Sequence, residues 1–491
     1  MAKPLSILYV TSQVYPYTRV SEIAEISYSL TLALKDSGHD IRIMLPKYGI
    51  VSERRNRIHE INRLRDMAIP MGKDSELTTV KSSSIANPRI RVQAYITTNK
   101  LYFDMKKGVY KDPKTCEDYE DNDERYLFFN RSVVETCITL GWVPDIIHCN
   151  DWHTTLIPAY IKSLFPNKFK KTKILTTIHN FAEQGAFSMK TFQNTSLPKE
   201  IKGNLTHKNK FNFLKSGLVY ADYINTLSPT YAKEILQDKK YSNELNSVLL
   251  ERPNLFSGIL CGVDSWLWNP KTDSSIAHKY SHDFFDFKQK NKKALLKEFG
   301  LEFKEDTPLI GFTSANDQYS GAELFIDSIE DIIKLKAQVV IIGEINNDLK
   351  PNIKKLLKSN PNAFSYKPLS EDLVNNLFIA GTDMTVFPAL YEPNGLKTMY
   401  SMLYGSIPIA YQTGAINDII TPFTNNSKKS NGFLFNSYSS EKLIDSVKSA
   451  IELFNKHENW ASICNNAMTK DFSWEKPTKY YDEIYRNIIK E

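Results

Sequence analysis

The chain has 491 residues, 42% of them hydrophobic, and a formal net charge of +6 at pH 7. That length suits two or more domains, each able to bury its own core; the mildly basic balance suits anionic small molecules and gives no ground for a nucleic-acid partner. Cys116, Cys137, Cys149, Cys261 and Cys464 form no CxxC pair or zinc spacing, no apolar run reaches membrane-spanning length, and MAKPLSILYV enters a strand with no signal-type apolar segment, so a reduced, cytoplasmic protein with no membrane partner is expected.

The first half opens as a βαβ unit: a strand at Leu5 to Val10, a long loop, a helix ending at Gly38 and a strand at Ile41 to Leu45, with Ile23, Ile26, Leu30 and Leu34 at helical spacing. Further strands are expected at Arg91 to Ile96, Ile146 to His148, Ile174 to Ile178 and Tyr223 to Leu227, with helices at Glu124 to Leu140 and Thr155 to Leu164. The charged span from Tyr102 to Asp123 reads as a loop over one face. A second alternation starts after Pro308: LIGFTS, AQVVIIG and AFSYKP are strands, and AELFIDSIEDIIKL, NNDLKPNIKKLLKS and SEDLVNNLFIAG are helices, the last capped by Ser370. Repeated βα units in both halves predict two parallel-sheet domains, with SGILCGVDSWLWNP as the hinge and the ligand in a cleft between them.

The most informative stretch is DMTVFPALYEPNGLKTMYSMLYGSIPIAY, from Asp383 to Tyr411. A buried strand (Met384 to Phe387) runs into a loop carrying Glu392; Gly395 opens a helix that stops near Gly405, and a strand (Ile407 to Ala410) follows. A loop at a strand's carboxyl end that feeds a helix N-terminus is where α/β proteins hold phosphorylated ligands, and an acid there can hold sugar hydroxyls. The plain alternative is a surface loop with a solvated Glu. In the first half, LTTIHNFAEQGAF puts His179 just past an apolar strand, followed by Asn180, Gln184 and Gly185. IIHCNDWHTTL offers His148, Asp151, Trp152 and His153 in one strand-to-helix turn, where Asp151 has a helix cap as its ordinary role.

Taken together, the turn at Asp151 to His153, HNFAEQGAF, FLKSGLVYADYINTLSPTYAKEI, GILCGVDSWLWNP, NKKALLKEFGL, YEPNGL, NGFLF and DFSWEKPTKYYDEIY resemble bacterial glycogen synthase and plant starch synthase over nearly the whole chain. The resemblance implies a retaining glucosyltransferase of GT-B architecture: a Rossmann-like acceptor-side domain over residues 1–257, a Rossmann-like nucleotide-sugar domain over 258–470, and a tail over 471–491 whose helix crosses back to the first domain. It implies transfer of glucose from a nucleotide-glucose donor, ADP-glucose in preference to UDP-glucose, to the nonreducing 4-hydroxyl of an α-1,4-glucan acceptor, with no metal and no cofactor. By the same resemblance Glu392 contacts the transferred sugar, His179 sits beside it, Asp151 lines the acceptor or sugar side, and the donor is held by Arg19, Asn394, Gly395, Leu396, Lys397, Thr413 and Gly414.

Departures from the family pattern fall on the diphosphate cradle. Where the family has Lys-x-Gly-Gly and then Leu-Ala-Asp, this chain has Arg19, Val20, Ser21 and Glu22, then Ile23, Ala24 and Glu25. Glycines let amides approach a phosphate, whereas an acid about 4 Å from one costs roughly 1 kcal/mol in water and ~4 at protein-surface dielectric. The Arg and Lys of the second domain become Ala315 and Ser320, ahead of Gly321; losing two such donors lowers a rate by up to ~10⁴-fold if nothing replaces them. Asn394 replaces a Cys, Cys261 an Asn, and the Thr-Gly-Gly turn reads Thr413, Gly414, Ala415. Lys397, where the family has an uncharged Thr, is unfavourable at a helix N-terminus unless an anion binds there, so with Arg19 it is a candidate replacement charge; a solvated lysine is the alternative. The expectation is thus an enzyme with an altered diphosphate site, the alternative a catalytically impaired relative that binds glucan or sugar nucleotide as a regulatory or scaffolding protein.

Overall fold

The structure is a computed structural model and describes residues 3–314, 319–368, 375–424 and 427–490. Ala315 and the expected Ser370 cap lie outside these residues. The chain divides into two compact units, residues 1–262 with 474–491, and residues 263–473.

The first unit is built on a ten-stranded sheet. Strand Ser6–Val10 pairs in parallel with Asp40–Pro46 on one side and Ile146–Asn150 on the other. Arg91–Thr98 continues beyond Asp40–Pro46; Lys173–Ile178, Tyr223–Thr226 and Phe256–Gly258 continue beyond Ile146–Asn150, all parallel. The order therefore reverses at Ser6–Val10, and the crevice between its carboxyl end and that of Ile146–Asn150 is the topological switch point of a doubly wound sheet. Ile7, Tyr9, Ile43, Ile146 and Ile174 are fully or almost fully buried, as central strands covered on both faces require.

One edge differs from the all-parallel expectation. The thirteen-residue strand Asp74–Ala86 runs antiparallel to Arg91–Thr98 and carries two further short antiparallel partners. Its run of Thr, Lys and Ser lacks the apolar alternation by which strands are recognised, since long stretches of it are only partly buried. The span after Tyr102 is largely irregular, as expected, but begins as the short helical turn Lys100–Asp104 capped by Asn99.

The second unit carries a six-stranded sheet, all parallel, in the order Phe364–Lys367, Gln338–Gly343, Leu309–Ser314, Met384–Phe387, Ile407–Tyr411, Phe433–Phe435. Its switch point lies between Leu309–Ser314 and Met384–Phe387. At the opposite, amino ends of these strands, Lys292 Nζ lies 2.6 Å from Asp383 Oδ2, which also accepts the Leu309 amide at 2.8 Å. Buried Lys288 donates to the carbonyls of Ile379, Thr382 and Tyr404, the C-terminal ends of the helices Asn375–Gly381 and Leu396–Leu403, where a cation is favoured.

The closing helix, Glu475–Lys490, belongs to the first unit, where it packs on helix Glu22–Asp36 and strand Lys173–Ile178. Tyr481 and Tyr485 anchor it. Tyr481 OH accepts from Asn225 Nδ2 at 3.1 Å, and Tyr485 OH lies 2.8 Å from His148 Nδ1.

Candidate active site

In the first unit the chain between strand Ser6–Val10 and helix Glu22–Asp36 forms one side of the switch point, and the turn after Asn150 forms the other. Asp151 takes a left-handed φ of 56°. Its side chain makes no cap bond; instead Oδ1 accepts the His179 amide at 2.7 Å, tying the end of strand Ile146–Asn150 to that of Lys173–Ile178. Burial pushes the Asp151 carboxyl well above its usual range, Glu183 nearby pushes the same way, and the amides of His179 and Asn180 oppose them.

His179 is buried, and burial lowers its pKa to about 3, so the imidazole is neutral. Its tautomer follows from Asn150. The Asn150 amide Nδ2 donates to the carbonyls of Val10 (3.0 Å) and His148 (3.4 Å), which leaves Oδ1 as the acceptor for Tyr9 OH at 2.9 Å and for His179 Nε2 at 3.1 Å. The proton therefore sits on Nε2. Nδ1 is a buried acceptor with no partner among the described residues, suited to receive a hydroxyl. Beside it Trp152, His153 and Tyr110 form a stack, with centroid distances of 3.9 and 4.6 Å. Gly185 is required here, because a Cβ would come within 2.4 Å of the Trp152 ring at a φ of +56°.

In the second unit the loops at the switch point hold one another. The Leu390 amide donates to the Tyr319 carbonyl at 2.9 Å, and a Cβ on Gly321 would meet the Pro388 carbonyl at 2.2 Å. Glu392 Oε1 accepts the Gly395 amide at 3.0 Å, while its own carbonyl accepts the Ala415 amide at 2.9 Å. Thr413 Oγ1 donates to the Leu390 carbonyl at 3.4 Å, and Asn394 Oδ1 accepts the Leu396 amide at 2.9 Å. Gly395 has a φ of 65°, and a Cβ there would lie 2.2 Å from Ile419 Cδ1. Glu392, Asn394, Gly395, Leu396, Thr413, Gly414 and Ser320 are thus gathered by short loops at one crevice of this unit. Lys397 is exposed in the first turn of helix Leu396–Leu403.

Arg19, in the first unit, is half exposed and paired with Glu25, with NH2 to Oε1 at 2.6 Å. The charge expected for a phosphate therefore already has a carboxylate partner. Sequence reasoning passed over Gln13, Tyr110 and Asn150, all of which bond the site's loops or side chains. The signal for Gln13 and Asn150 was their position at the carboxyl ends of the two strands that flank the switch point; Tyr110 lies in an irregular span with no periodicity to single it out. Among the described residues no cluster of His, Cys, Asp and Glu could hold a metal ion, and no helix is long and apolar enough to cross a membrane.

Two doubly wound units, each with polar groups at its own switch point, are the architecture of a GT-B glycosyltransferase. Residues 6–251 match the starch synthase catalytic domain family and residues 296–465 the group 1 glycosyl transferases. The chain is 35% identical over 485 residues to a glycogen synthase of Chlorobaculum parvum, covering 98% of each, and 36% identical over 488 residues to a glycogen synthase of Chlorobium limicola, covering 99% of each. Its fold matches that of the catalytic domain of starch synthase IV from Arabidopsis thaliana, solved with ADP and acarbose, with a TM-score of 0.88 at 24% identity over all of both chains. A sucrose-phosphate synthase from Thermosynechococcus elongatus aligns with a TM-score of 0.59. The chain belongs to the glycogen synthase and starch synthase family, and is a glucosyltransferase of that type.

Proposed function

We propose that this chain transfers glucose, with retention, from a nucleotide-glucose donor, ADP-glucose in preference to UDP-glucose, to the nonreducing end of an α-1,4-glucan in the cytoplasm. The observation that carries the reading is the fastening of Glu392. Its carboxylate is held by the Gly395 amide of its own loop and its carbonyl by the Ala415 amide of the adjoining one, so an acid stands at a helix N-terminus with little freedom to move, as positioning a sugar demands. Glu392 contacts the transferred glucose, and His179 Nδ1 accepts one of its hydroxyls. Asp151 keeps the His179 backbone in place on the sugar side. The amides around Gly395 and Leu396, with Asn394, Thr413 and Gly414, face the diphosphate. In the reaction the bond from the anomeric carbon to the diphosphate breaks, the bond to the glucan 4-oxygen forms on the same face, and the hydroxyl proton leaves with the diphosphate.

The diphosphate side is the weak part. Ser320 brings no charge and Glu22 brings the wrong one, while Arg19 must leave Glu25 to contribute. Lys397 is the cation placed to compensate at the helix N-terminus. Turnover is therefore expected below that of a site with a full set of basic donors, and full-length identity to glycogen synthases favours an enzyme over a binding-only relative. The test is transfer of radiolabelled glucose from ADP-glucose and from UDP-glucose to glycogen. No transfer from either donor, with glycogen still bound, overturns the enzyme reading.

A further inference from the structure

Ser21 stands at the N-cap of the fifteen-residue helix Glu22–Asp36, in extended conformation (φ −141°), yet its side chain makes no cap hydrogen bond. Serine is among the residues best suited to that task. The reason lies in Gln13, which is fully buried. Its Nε2 donates to Ser21 Oγ at 3.0 Å and to Tyr110 OH at 2.6 Å, and its Oε1 accepts the amides of Val20 at 2.9 Å and Ser21 at 3.2 Å. Tyr110 OH, which accepts from Gln13, also lies 2.6 Å from Ser12 Oγ. All four hydrogen-bonding positions of the carboxamide are used, and they hold the Ser21 hydroxyl away from the helix amides. The same loop carries a second hydroxyl, Thr18 Oγ1, that is buried and without a partner among the described residues.

We propose that Gln13 is a positioning residue for the donor diphosphate. By holding Ser21 it stops this side chain from capping the helix that starts at the switch point, and so keeps the Ile23 amide and the loop hydroxyls open to a phosphate, the Ala24 amide being already engaged by the Ser21 carbonyl at 3.1 Å. This rests on the nucleotide-sugar reading above. It also explains how the chain replaces a glycine by serine at a phosphate-facing helix start. A glycine has no side chain to compete for those amides, whereas a serine competes unless something restrains it. Tyr110 extends the restraint to the acceptor side, since its ring stacks on His153.

The experiment compares wild type with Gln13→Leu, Gln13→Leu/Ser21→Gly, Gln13→Glu and Tyr110→Phe, reading donor KM, glycogen KM, and calorimetric binding of ADP and UDP. A released serine cap blocks the helix amides by an amount that raises donor KM about tenfold in Gln13→Leu, with glycogen KM changed less than about twofold. Gln13→Glu still accepts both loop amides but loses the donor to Ser21 Oγ and buries a carboxylate, so it also raises donor KM. Tyr110→Phe, the milder change, shifts donor KM by about threefold. The decisive arm is the double variant: with no hydroxyl left to cap, donor KM returns to near wild type. An unchanged donor KM in Gln13→Leu, or no recovery in the double variant, overturns the proposal. If wild type transfers no glucose, the enzyme reading fails while ADP and UDP binding across the same variants still decides the role of Gln13.

Discussion

Glu392 accepts the Gly395 amide through one oxygen, so Glu392→Gln can keep that bond and remove only the charge. Transfer is expected to fall by about 10²-fold or more with the melting temperature unchanged, because a preorganised group at the reacting centre acts on the transition state rather than on the fold. Equal rates for the two proteins would take Glu392 out of the chemistry. Lys397 makes the contrasting case. It is exposed in the first turn of its helix, where a cation is disfavoured by the helix dipole and a bound anion offsets that cost. Lys397→Ala should raise donor KM roughly fivefold, the equivalent of about 1 kcal/mol. Unchanged turnover and donor affinity in an active preparation would make it a solvated lysine.

The closing helix is secured by a directed chain of buried hydrogen bonds. Thr177 Oγ1 donates to Asn225 Oδ1 at 2.6 Å, so it must accept from His148 Nε2, also at 2.6 Å; His148 Nδ1 then accepts from Tyr485 OH. Asn225 Nδ2 completes the set by donating to Tyr481 OH. Tyr485→Phe leaves the ring packing but orphans a buried nitrogen, which costs ~1–3 kcal/mol and should appear as a lowered denaturant midpoint of the first unit. No change in that midpoint would show that water replaces the hydroxyl. His148 and Thr177 precede Asn150 and His179 by two residues along the chain, so the helix anchor lies next to the groups proposed to face the sugar. The amphipathic tail and its tyrosines could be read along the chain, but the partners of those tyrosines could not, because His148 is 337 residues away from Tyr485.

For the molecule as a whole, buried neutral imidazoles set an acid limit. Burial lowers the pKa of His148, as of His179, to about 3. The unfolded chain, with ordinary histidines near 6.5, binds protons first as pH falls, so stability is fully present above about pH 6.5 and is lost progressively toward pH 3. At pH 5 each imidazole accounts for roughly 2 kcal/mol of that loss. A urea midpoint that stayed flat between pH 7 and pH 5 would contradict it, and the double variant His148→Gln/His179→Gln should reduce the slope, with buried His153, also pushed down by burial, retaining part of it. The alternation of apolar strands and amphipathic helices, the glycines at Gly185, Gly321 and Gly395, and the acid in YEPNGL follow from local periodicity and turn chemistry, so they were legible without a structure. Strand Asp74–Ala86 was not, because its partly buried faces carry little apolar pattern. Nor was the capture of Arg19 by Glu25, of Ser21 by Gln13, or of the His179 amide by Asp151. Each joins groups whose residue types are ordinary and whose meeting depends on how strand ends align at a switch point. Local chemistry along the chain was enough to define two α/β units, and the resemblance of its motifs to a family marked a glucosyltransferase whose expected phosphate cradle departs from the family pattern. Which side chains occupy that cradle depends on contacts between residues distant in sequence, because hydrogen bonds select partners by position in space.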